Sequence, residues 1–174
     1  MDNVLDLIFK RRSVRIFTRE KVGKETLTKL LQAGMAAPSA SNSRPWEFVV
    51  VTDPDTLEKL RQSLKYGKYN ATAAIVVCAN LQLAQNASAV RFWAQDCSAA
   101  TENILIAAAG MDLGTVWIGS YPKDDVMAKE REILDIPEDV TPLSLIYIGY
   151  PAEEPQPRTQ YDETRVHWET YQSA

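Results

Sequence analysis

Apolar side chains recur along much of the chain at the spacing of three and four residues that one helical face requires. Val4, Leu7 and Ile8 predict a short helix over 3–10, with Asp2 or Asn3 as its N-cap. The same periodicity predicts helices over 25–37, from 53 onward, from 93 to the glycines at 110 and 114, and over 124–134. The helix after 53 begins most clearly, because Asp53 can cap it and Pro54 suits its first position.

Three of these helices carry an apolar stripe that we expect to be buried. The stripes are Leu27, Leu30, Leu31 and Met35 in the second helix, Leu57, Leu60 and Leu64 in the third, and Val126, Met127 and Ile133 in the last. Short apolar runs rich in β-branched residues predict strands at 48–51, 73–79, 115–119 and 143–150. Helices and strands therefore interleave, with too few strand–helix–strand repeats for a doubly wound sheet.

The length of 174 residues is that of one domain, 1–174, with no internal repeat or low-complexity linker. Its last part, 151–174, reads as an arm, since 151–157 is acidic and proline-rich and therefore extended. The arm carries Tyr161, Val166, Trp168 and Tyr171, which water would solvate poorly. We expect the arm to pack on its own domain or across a dimer interface.

Composition narrows the function classes. The chain is 45% hydrophobic and 24% charged, as in soluble globular proteins, and its net charge of −4 argues against a nucleic-acid partner. No apolar run approaches the roughly 20 residues that span a bilayer, and the N-terminus lacks the features of a secretory signal. Cys78 and Cys97 lie in apolar segments, which predicts buried thiols and a cytoplasmic protein.

The single histidine, His167, excludes several kinds of site. A Ser-His-Asp triad could use only this tail residue, and clusters of His and Cys that bind metals have too few ligands. The seven glycines do not form the G-x-G-x-x-G fingerprint of dinucleotide-binding folds. If the protein is an enzyme, we expect a bound cofactor rather than a protein nucleophile to carry the chemistry.

Candidate chemistry appears first in the sequence RRSVRIF at 11–17. In an extended chain, Arg11, Ser13 and Arg15 share one face, and Arg12, Val14 and Ile16 share the other. Two guanidinium groups beside a hydroxyl suit a phosphate dianion. Alternatively, Lys10, Arg11 and Arg12 only complement the C-terminal end of the preceding helix dipole.

A second candidate is the polar loop within AAPSASNSRPWEFVVVT at 36–52. Pro38 ends a helical pattern, small polar residues follow, and Pro45-Trp46 leads into a predicted strand. Such a loop exposes hydroxyl, amide and backbone N–H groups at a fixed place. On its own it is equally well an ordinary helix-to-strand connection.

Four blocks of the chain, in this order, resemble the FMN-dependent nitroreductase family. They are RRSVRIF, APSASNSRPWEFVVV, DCSAATENILIAAAGMDLGTVWIG, and LIYIGYP with the tail that carries Arg158. The resemblance implies an α+β, three-layer α-β-α fold with a central mixed, mainly antiparallel sheet of four to five strands and an extended C-terminal arm. It also implies a homodimer with FMN at the subunit interface, each FMN touching both chains.

Carried over to this chain, the resemblance assigns the cofactor phosphate to basic residues. Arg11, Ser13 and Arg15 match the positions that hold the FMN phosphate and reach toward the pyrimidine edge of the ring. Arg12 contributes nearby. Arg158 matches one of two basic tail positions that close on the phosphate.

Two further blocks are assigned to the flavin ring. Pro38, Ser39 and Asn42 match a loop that lies against the flavin, usually from the partner subunit. The strand end whose backbone faces the isoalloxazine corresponds to Trp117, Ile118 and Gly119. The stretch 66–70 is expected to hold another ring contact, with Lys68 and Asn70 as candidates and Tyr66, Tyr69 and Phe92 as aromatic linings or ordinary packing residues.

Three residues depart from the family pattern. Arg44 and Glu102 each stand where Gln is common, and Gln160 stands where a second tail Arg is expected. The resemblance implies a ping-pong reductase that uses NAD(P)H to reduce nitroaromatics, quinones or similar electron-poor small molecules, with Arg15 stabilising charge on the reduced ring and no catalytic side chain. Alternatives are different flavin chemistry (ring oxidation, dehalogenation or flavin cleavage) or an FMN-sequestering or sensing protein without useful turnover.

Overall fold

A four-stranded sheet forms the middle layer of the computed structural model, which describes residues 3–172. The strands are β1 (Trp46–Val51), β2 (Ala73–Asn80), β3 (Gly114–Gly119) and β4 (Val140–Gly149). Their order is β1-β2-β4-β3, and each neighbouring pair is antiparallel. Within the described residues, parallel pairing is limited to an isolated bridge between Ser13 and Thr115.

Five helices accompany the sheet in the described part of the chain: α1 (Val4–Lys10), α2 (Lys24–Met35), α3 (Pro54–Ser63), α4 (Ala89–Gly110) and α5 (Asp124–Leu134). Asp53 caps α3 as predicted, accepting a hydrogen bond from the Thr56 N–H at 2.8 Å. Asn3 caps α1, whereas Asp2, the other candidate, lies outside the described residues. Helix α4 begins at Ala89, four residues before its predicted start at Trp93.

The helices form two layers because successive strand side chains point to opposite faces of the sheet. One face, with Val76, Leu145 and Tyr147, packs against the side chains of α3 and α5. The other face, with Ile75, Ile146 and Ile148, packs against α2 and α4. These contacts confirm the predicted three-layer α+β fold. Beyond β4 the chain continues as an extended arm, of which residues 173 and 174 lie outside the described part.

One prediction of burial was wrong. Met35 is 55% exposed, because α2 turns Leu27, Leu30 and Gly34 toward the core instead. A Cβ on Gly34 would lie 3.0 Å from Ile104 Cδ1, so the glycine permits close packing that hydropathy does not reveal.

The alternation expected for an extended chain holds in only part of 11–17. Val14 is buried on the expected face, but Ile16 is 63% exposed and Phe17 is buried in its place. The segment is not a regular strand: it meets the sheet only at isolated bridges, Ser13 with Thr115 and Phe17 with Pro151. Between these two points the strict period of two is lost.

Cys78 and Cys97 are free and buried, as predicted. Burial raises the pKa of each thiol to about 12. Such thiols are protonated and unreactive at neutral pH. Within residues 3–172, no helix has both the length and the apolar character needed to cross a lipid bilayer.

Candidate functional site

The 11–17 segment is fixed along the outer edge of β3. The Val14 N–H donates to the Thr115 carbonyl at 2.8 Å, and the Val14 side chain covers Gly114. A Cβ on Gly114 would lie 2.8 Å from Val14 Cβ, so only glycine permits this approach. Because Val14 faces inward, Ser13 and Arg15 are exposed on the outer side.

Two hydrogen bonds tie the arm to this edge. The backbone N–H of Arg158 donates to the Phe9 carbonyl at 3.1 Å, and the Arg12 guanidinium donates to the Gln156 carbonyl. Arg15 Nη1 donates to the carbonyl of Ser13 at 3.2 Å. Arg11, Ser13 and Arg15 therefore lie on one segment beside β3, the backbone of Arg158 is tied to the end of the helix before that segment, and Arg12 is turned toward the arm.

Arg11 has a carboxylate partner on α4. Its Nε lies 3.5 Å from Oε1 of Glu102, with both side chains partly exposed. Partial burial raises the pKa of Glu102, and the nearby Arg11 offsets only part of that rise. The neighbouring Lys10 pairs with Asp112 at 2.7 Å. The basic edge therefore contains carboxylates that sequence analysis did not pair with it.

Asn70 supports the segment from behind. Its amide accepts from the Phe17 N–H at 3.1 Å and donates to the Phe17 carbonyl at 2.8 Å. Of the two candidates in 66–70, Asn70 is therefore engaged with backbone, and Lys68 is directed to Gln62 at 3.4 Å. A two-point amide contact of this kind fixes the position of the chain next to Arg15.

A cavity of about 440 Å³ opens where β3 ends. Its lining includes the end of β3, two tyrosine rings and three lysines: Trp117, Ile118, Gly119; Tyr66, Tyr69; Lys65, Lys123, Lys129. Trp117 is 36% exposed, and Tyr69 packs edge-on against Tyr147 with ring centroids 6.3 Å apart. Aromatic walls with basic groups at the rim suit a flat, anionic ligand. Phe92 is 44% exposed on α4 and does not line this cavity.

The 38–44 loop has an unusual backbone. Ser41, Asn42 and Arg44 have φ values of 50°, 56° and 48°. These values lie in the left-handed region, which is unfavourable for residues other than glycine. Non-glycine residues persist there only where the surroundings determine the conformation, and such residues cluster at ligand-binding sites. Pro38 and Asn42 are exposed on this loop, and Ser39 is partly buried.

Hydrogen bonds from three directions hold the loop. The buried Asp96 carboxylate accepts from the Ala40 N–H and from Ser43 Oγ, both at 2.8 Å. The Asn86 amide donates to the Ser41 carbonyl at 2.8 Å. The Ser39 hydroxyl accepts from the Arg44 N–H at 3.0 Å. These hydrogen bonds hold the loop in its observed conformation without any contribution from a ligand.

The loop and the 11–17 segment lie at opposite corners of the sheet. Across β2, Trp46 at the end of the loop is level with Thr141 of β4. Across β3, Ser13 is level with Ile148 of β4. Along β4, Thr141 and Ile148 are roughly 23 Å apart at ~3.3 Å per residue. No hydrogen bond or ion pair within residues 3–172 joins the loop to the segment. Within one subunit, therefore, the two predicted parts of the site are not brought together.

A buried polar pair supports the turn after β3. Ser120 Oγ donates to Glu130 Oε1 at 2.8 Å, and both residues are 0% exposed. Burial raises the pKa of Glu130 to about 7. The other carboxylate oxygen, Oε2, has no hydrogen-bond partner among residues 3–172.

The Nitroreductase family model matches residues 8–67 and 63–150 of this chain. The chain belongs to the nitroreductase family. A relative from Archaeoglobus fulgidus, provisionally named NADH dehydrogenase/NAD(P)H nitroreductase, is 40% identical over 176 residues, covering 98% of this chain and 100% of the relative. The chain is thus a member of an oxidoreductase family.

Two solved structures agree with this assignment. An FMN-dependent nitroreductase from Clostridium difficile has a TM-score of 0.85 and 32% identity, covering 96% of this chain and 99% of that one. The NADPH:FMN oxidoreductase of Vibrio harveyi, complexed with NAD+, has a TM-score of 0.84 and 28% identity, covering 99% and 80%.

In this member of the nitroreductase family, sequence reasoning missed Asp96 and Glu130 and named Asn70 only as a possible ring contact, not as a support. Asp96 and Asn70 bond to backbone groups 53 or more positions away, which no local pattern reveals. Glu130 could have been found, because it lies three residues from both Met127 and Ile133 and so on the predicted buried stripe of α5. Arg44 and Gln160, two of the departures from the family pattern, both have exposed side chains.

Proposed function

We propose that this protein is an FMN-dependent NAD(P)H oxidoreductase that reduces nitroaromatics, quinones or similar electron-poor acceptors. The observation that carries the proposal is the guanidinium–hydroxyl–guanidinium edge of Arg11, Ser13 and Arg15 beside β3, with the arm residue Arg158 held near it through its backbone N–H. This donor set fits a phosphate dianion, because guanidinium groups offer charged bidentate hydrogen bonds. The names of the relatives from C. difficile and V. harveyi, which include FMN, support the choice of ligand.

When bound, FMN supplies two-electron transfer from NAD(P)H to the acceptor. In our assignment Arg11, Ser13 and Arg158 hold the phosphate, with Arg12 nearby, and Arg15 stabilises negative charge at the pyrimidine edge. The backbone of Trp117, Ile118 and Gly119 faces the ring. No side chain is assigned a proton-transfer role.

Our proposal for the order of binding starts from a single exposed face of the flavin. Reducing donor and acceptor would use the same exposed face beside Trp117, so one must leave before the other enters. We therefore propose ping-pong kinetics. The lysines at the rim of the cavity, Lys65, Lys123 and Lys129, would attract the anionic donor.

We further propose that the active unit is a homodimer in which Pro38, Ser39 and Asn42 reach the flavin of the partner subunit. The sheet register supports this, because the loop and the 11–17 segment occupy opposite corners of one subunit. Within one subunit the strained 38–44 loop is too far from the 11–17 segment to form a site with it. A second copy of the chain would bring its own 11–17 segment to the loop.

Exposed apolar side chains also support a dimer. Helix α1 buries none of its residues, and Val4 and Leu5 are 68% and 54% exposed. Trp168 and Tyr171 of the arm are 75% and 83% exposed. Surfaces of this kind mark association sites. The buried free thiols fit the reducing cytoplasm, where we place this enzyme.

The decisive experiment is an absorbance spectrum of the purified protein, followed by NADH and NADPH oxidation with a nitroaromatic or quinone acceptor. We expect a flavin spectrum and acceptor-dependent oxidation. A protein that binds FMN without turnover would be a sequestering or sensing protein, and one that binds no FMN would refute the proposal. Light scattering after size exclusion should give twice the 19.5 kDa chain mass, and an FMN-retaining monomer would refute the shared site.

A further inference from the structure

Glu102 is a carboxylate directed at a residue assigned to the cofactor phosphate. It projects from the middle of α4, and its Oε1 lies 3.5 Å from Arg11 Nε. We propose that Glu102 competes with the FMN phosphate for the Arg11 guanidinium, so that the chain binds FMN loosely and discriminates only weakly between FMN and riboflavin. This inference rests on the proposed function, since it assumes that Arg11 binds the phosphate.

The geometry favours competition. A guanidinium makes bidentate contacts through two of its edges, and one of these edges includes Nε. Glu102 occupies that edge through a single long contact. The two side chains are 29% and 45% exposed, so each can move away from the other. The pair is therefore a reversible one that a phosphate can displace only at a cost in affinity.

Charge adds to this cost. A phosphate dianion bound by Arg11 would lie one guanidinium away from the Glu102 carboxylate, and like charges at that distance repel. The two neighbouring cations are already engaged, Lys10 with Asp112 at 2.7 Å and Arg12 with the Gln156 carbonyl. Glutamine at position 102 would keep the shape of the side chain without its charge.

The test compares dissociation constants for FMN and riboflavin, measured by quenching of flavin fluorescence on the full-length protein. Glu102→Gln should tighten FMN binding about fivefold and leave riboflavin binding unchanged. The matched control is Glu132→Gln on the exposed side of α5, which changes net charge equally and should alter neither constant. Unchanged or weaker FMN binding in Glu102→Gln would overturn the proposal, as would equal tightening of riboflavin.

Two further variants separate competition from general electrostatics. In an Arg11→Gln background, Glu102→Gln should lose most of its effect; an undiminished effect would overturn competition for Arg11. Glu102→Asp keeps the charge but shortens the side chain, so its FMN affinity should lie between those of the unmodified protein and Glu102→Gln. If the unmodified protein binds FMN but Glu102→Gln binds it equally, only this inference fails. If the unmodified protein binds no FMN, the proposed function itself fails.

Discussion

Asp96 and Ser43 connect the middle of α4 to the 38–44 loop through a hydrogen bond of 2.8 Å that is shielded from solvent. Ser43 is 0% and Asp96 4% exposed, and the second carboxylate oxygen accepts from the Ala40 N–H. Three residues of this loop have left-handed backbone conformations that are unfavourable for their side chains. The buried carboxylate offsets that cost by satisfying donors that only this loop conformation presents.

Replacing Asp96 by Ala should therefore loosen the loop. The buried Ser43 hydroxyl and the partly buried Ala40 N–H would lose their acceptor, which should lower the free energy of unfolding by about 2–4 kcal/mol. FMN affinity should also fall, because the loop would no longer be preorganised. Urea unfolding and FMN titration measure the two effects separately.

Two variants serve as controls for Asp96. Asp96→Asn keeps an acceptor oxygen and should show a smaller loss in both measurements. Glu153→Ala removes an exposed arm carboxylate and should change neither. If Asp96→Ala loses stability but binds FMN with unchanged affinity, the loop has no part in binding.

Arg15→Ala should weaken FMN retention by about tenfold, because a charge-assisted hydrogen bond would be lost. Turnover with NAD(P)H should also slow, since Arg15 is assigned to stabilise charge on the ring. Arg19→Ala, an exposed arginine further along the same stretch, is the matched control and should behave as the unmodified protein does. A fully yellow Arg15→Ala variant with unchanged NAD(P)H oxidation would rule out the assigned role.

Gly114→Ala should displace the 11–17 segment. The added Cβ would lie 2.8 Å from Val14 Cβ, too close for either group to remain in place. We expect a loss of about 1–3 kcal/mol in the free energy of unfolding and weaker FMN binding, because Ser13 and Arg15 move with Val14. Gly23→Ala is the control, since no atom lies within 4 Å of its added Cβ. Equal stability of the two variants would show that the segment adapts without strain.

The sequence predicted most of the fold because its signals are local. Helix α5 was predicted with its observed ends, and the Asp53 cap set the start of α3, since both depend on neighbouring residues. Met35 was misplaced because the buried position beside it is a glycine, which has no hydropathy signal. The extra turn at the start of α4 is apolar except for Arg91, but Val90 and Phe92 are exposed rather than on a buried stripe, so periodicity gave no reason to extend the helix to Ala89.

The candidate site was less predictable, since it depends on contacts between distant parts of the chain. The basic character of Arg11 and Arg15 is visible in the sequence, but the pairing of Arg11 with Glu102 is not. Likewise, only the folded chain shows that Asn70 holds Phe17 and that Asp96 holds the 38–44 loop. Periodicity identifies which face of an element is buried, but it does not identify the partner that the face meets.

The buried Glu130 should make stability depend on pH. Burial raises its pKa from 4.5 to about 7, so between these values the folded state binds a proton that the unfolded state has released. The free energy of unfolding should therefore fall as pH rises from 4.5 toward 7, with no further loss from this group at higher pH. The full effect amounts to about 3 kcal/mol at ~1.4 kcal/mol per pKa unit.

Glu130→Gln should remove this dependence, because glutamine does not titrate and its carbonyl oxygen can still accept from Ser120 Oγ. Urea unfolding at several pH values should show the unmodified protein losing stability relative to Glu130→Gln as pH rises, with the difference constant above about pH 8. Glu132→Gln changes the same charge on the exposed side of α5, and its curve should parallel that of the unmodified protein. If the Glu130→Gln curve is also parallel, Glu130 titrates at the same pH in the folded and unfolded states, and burial alone does not govern its proton.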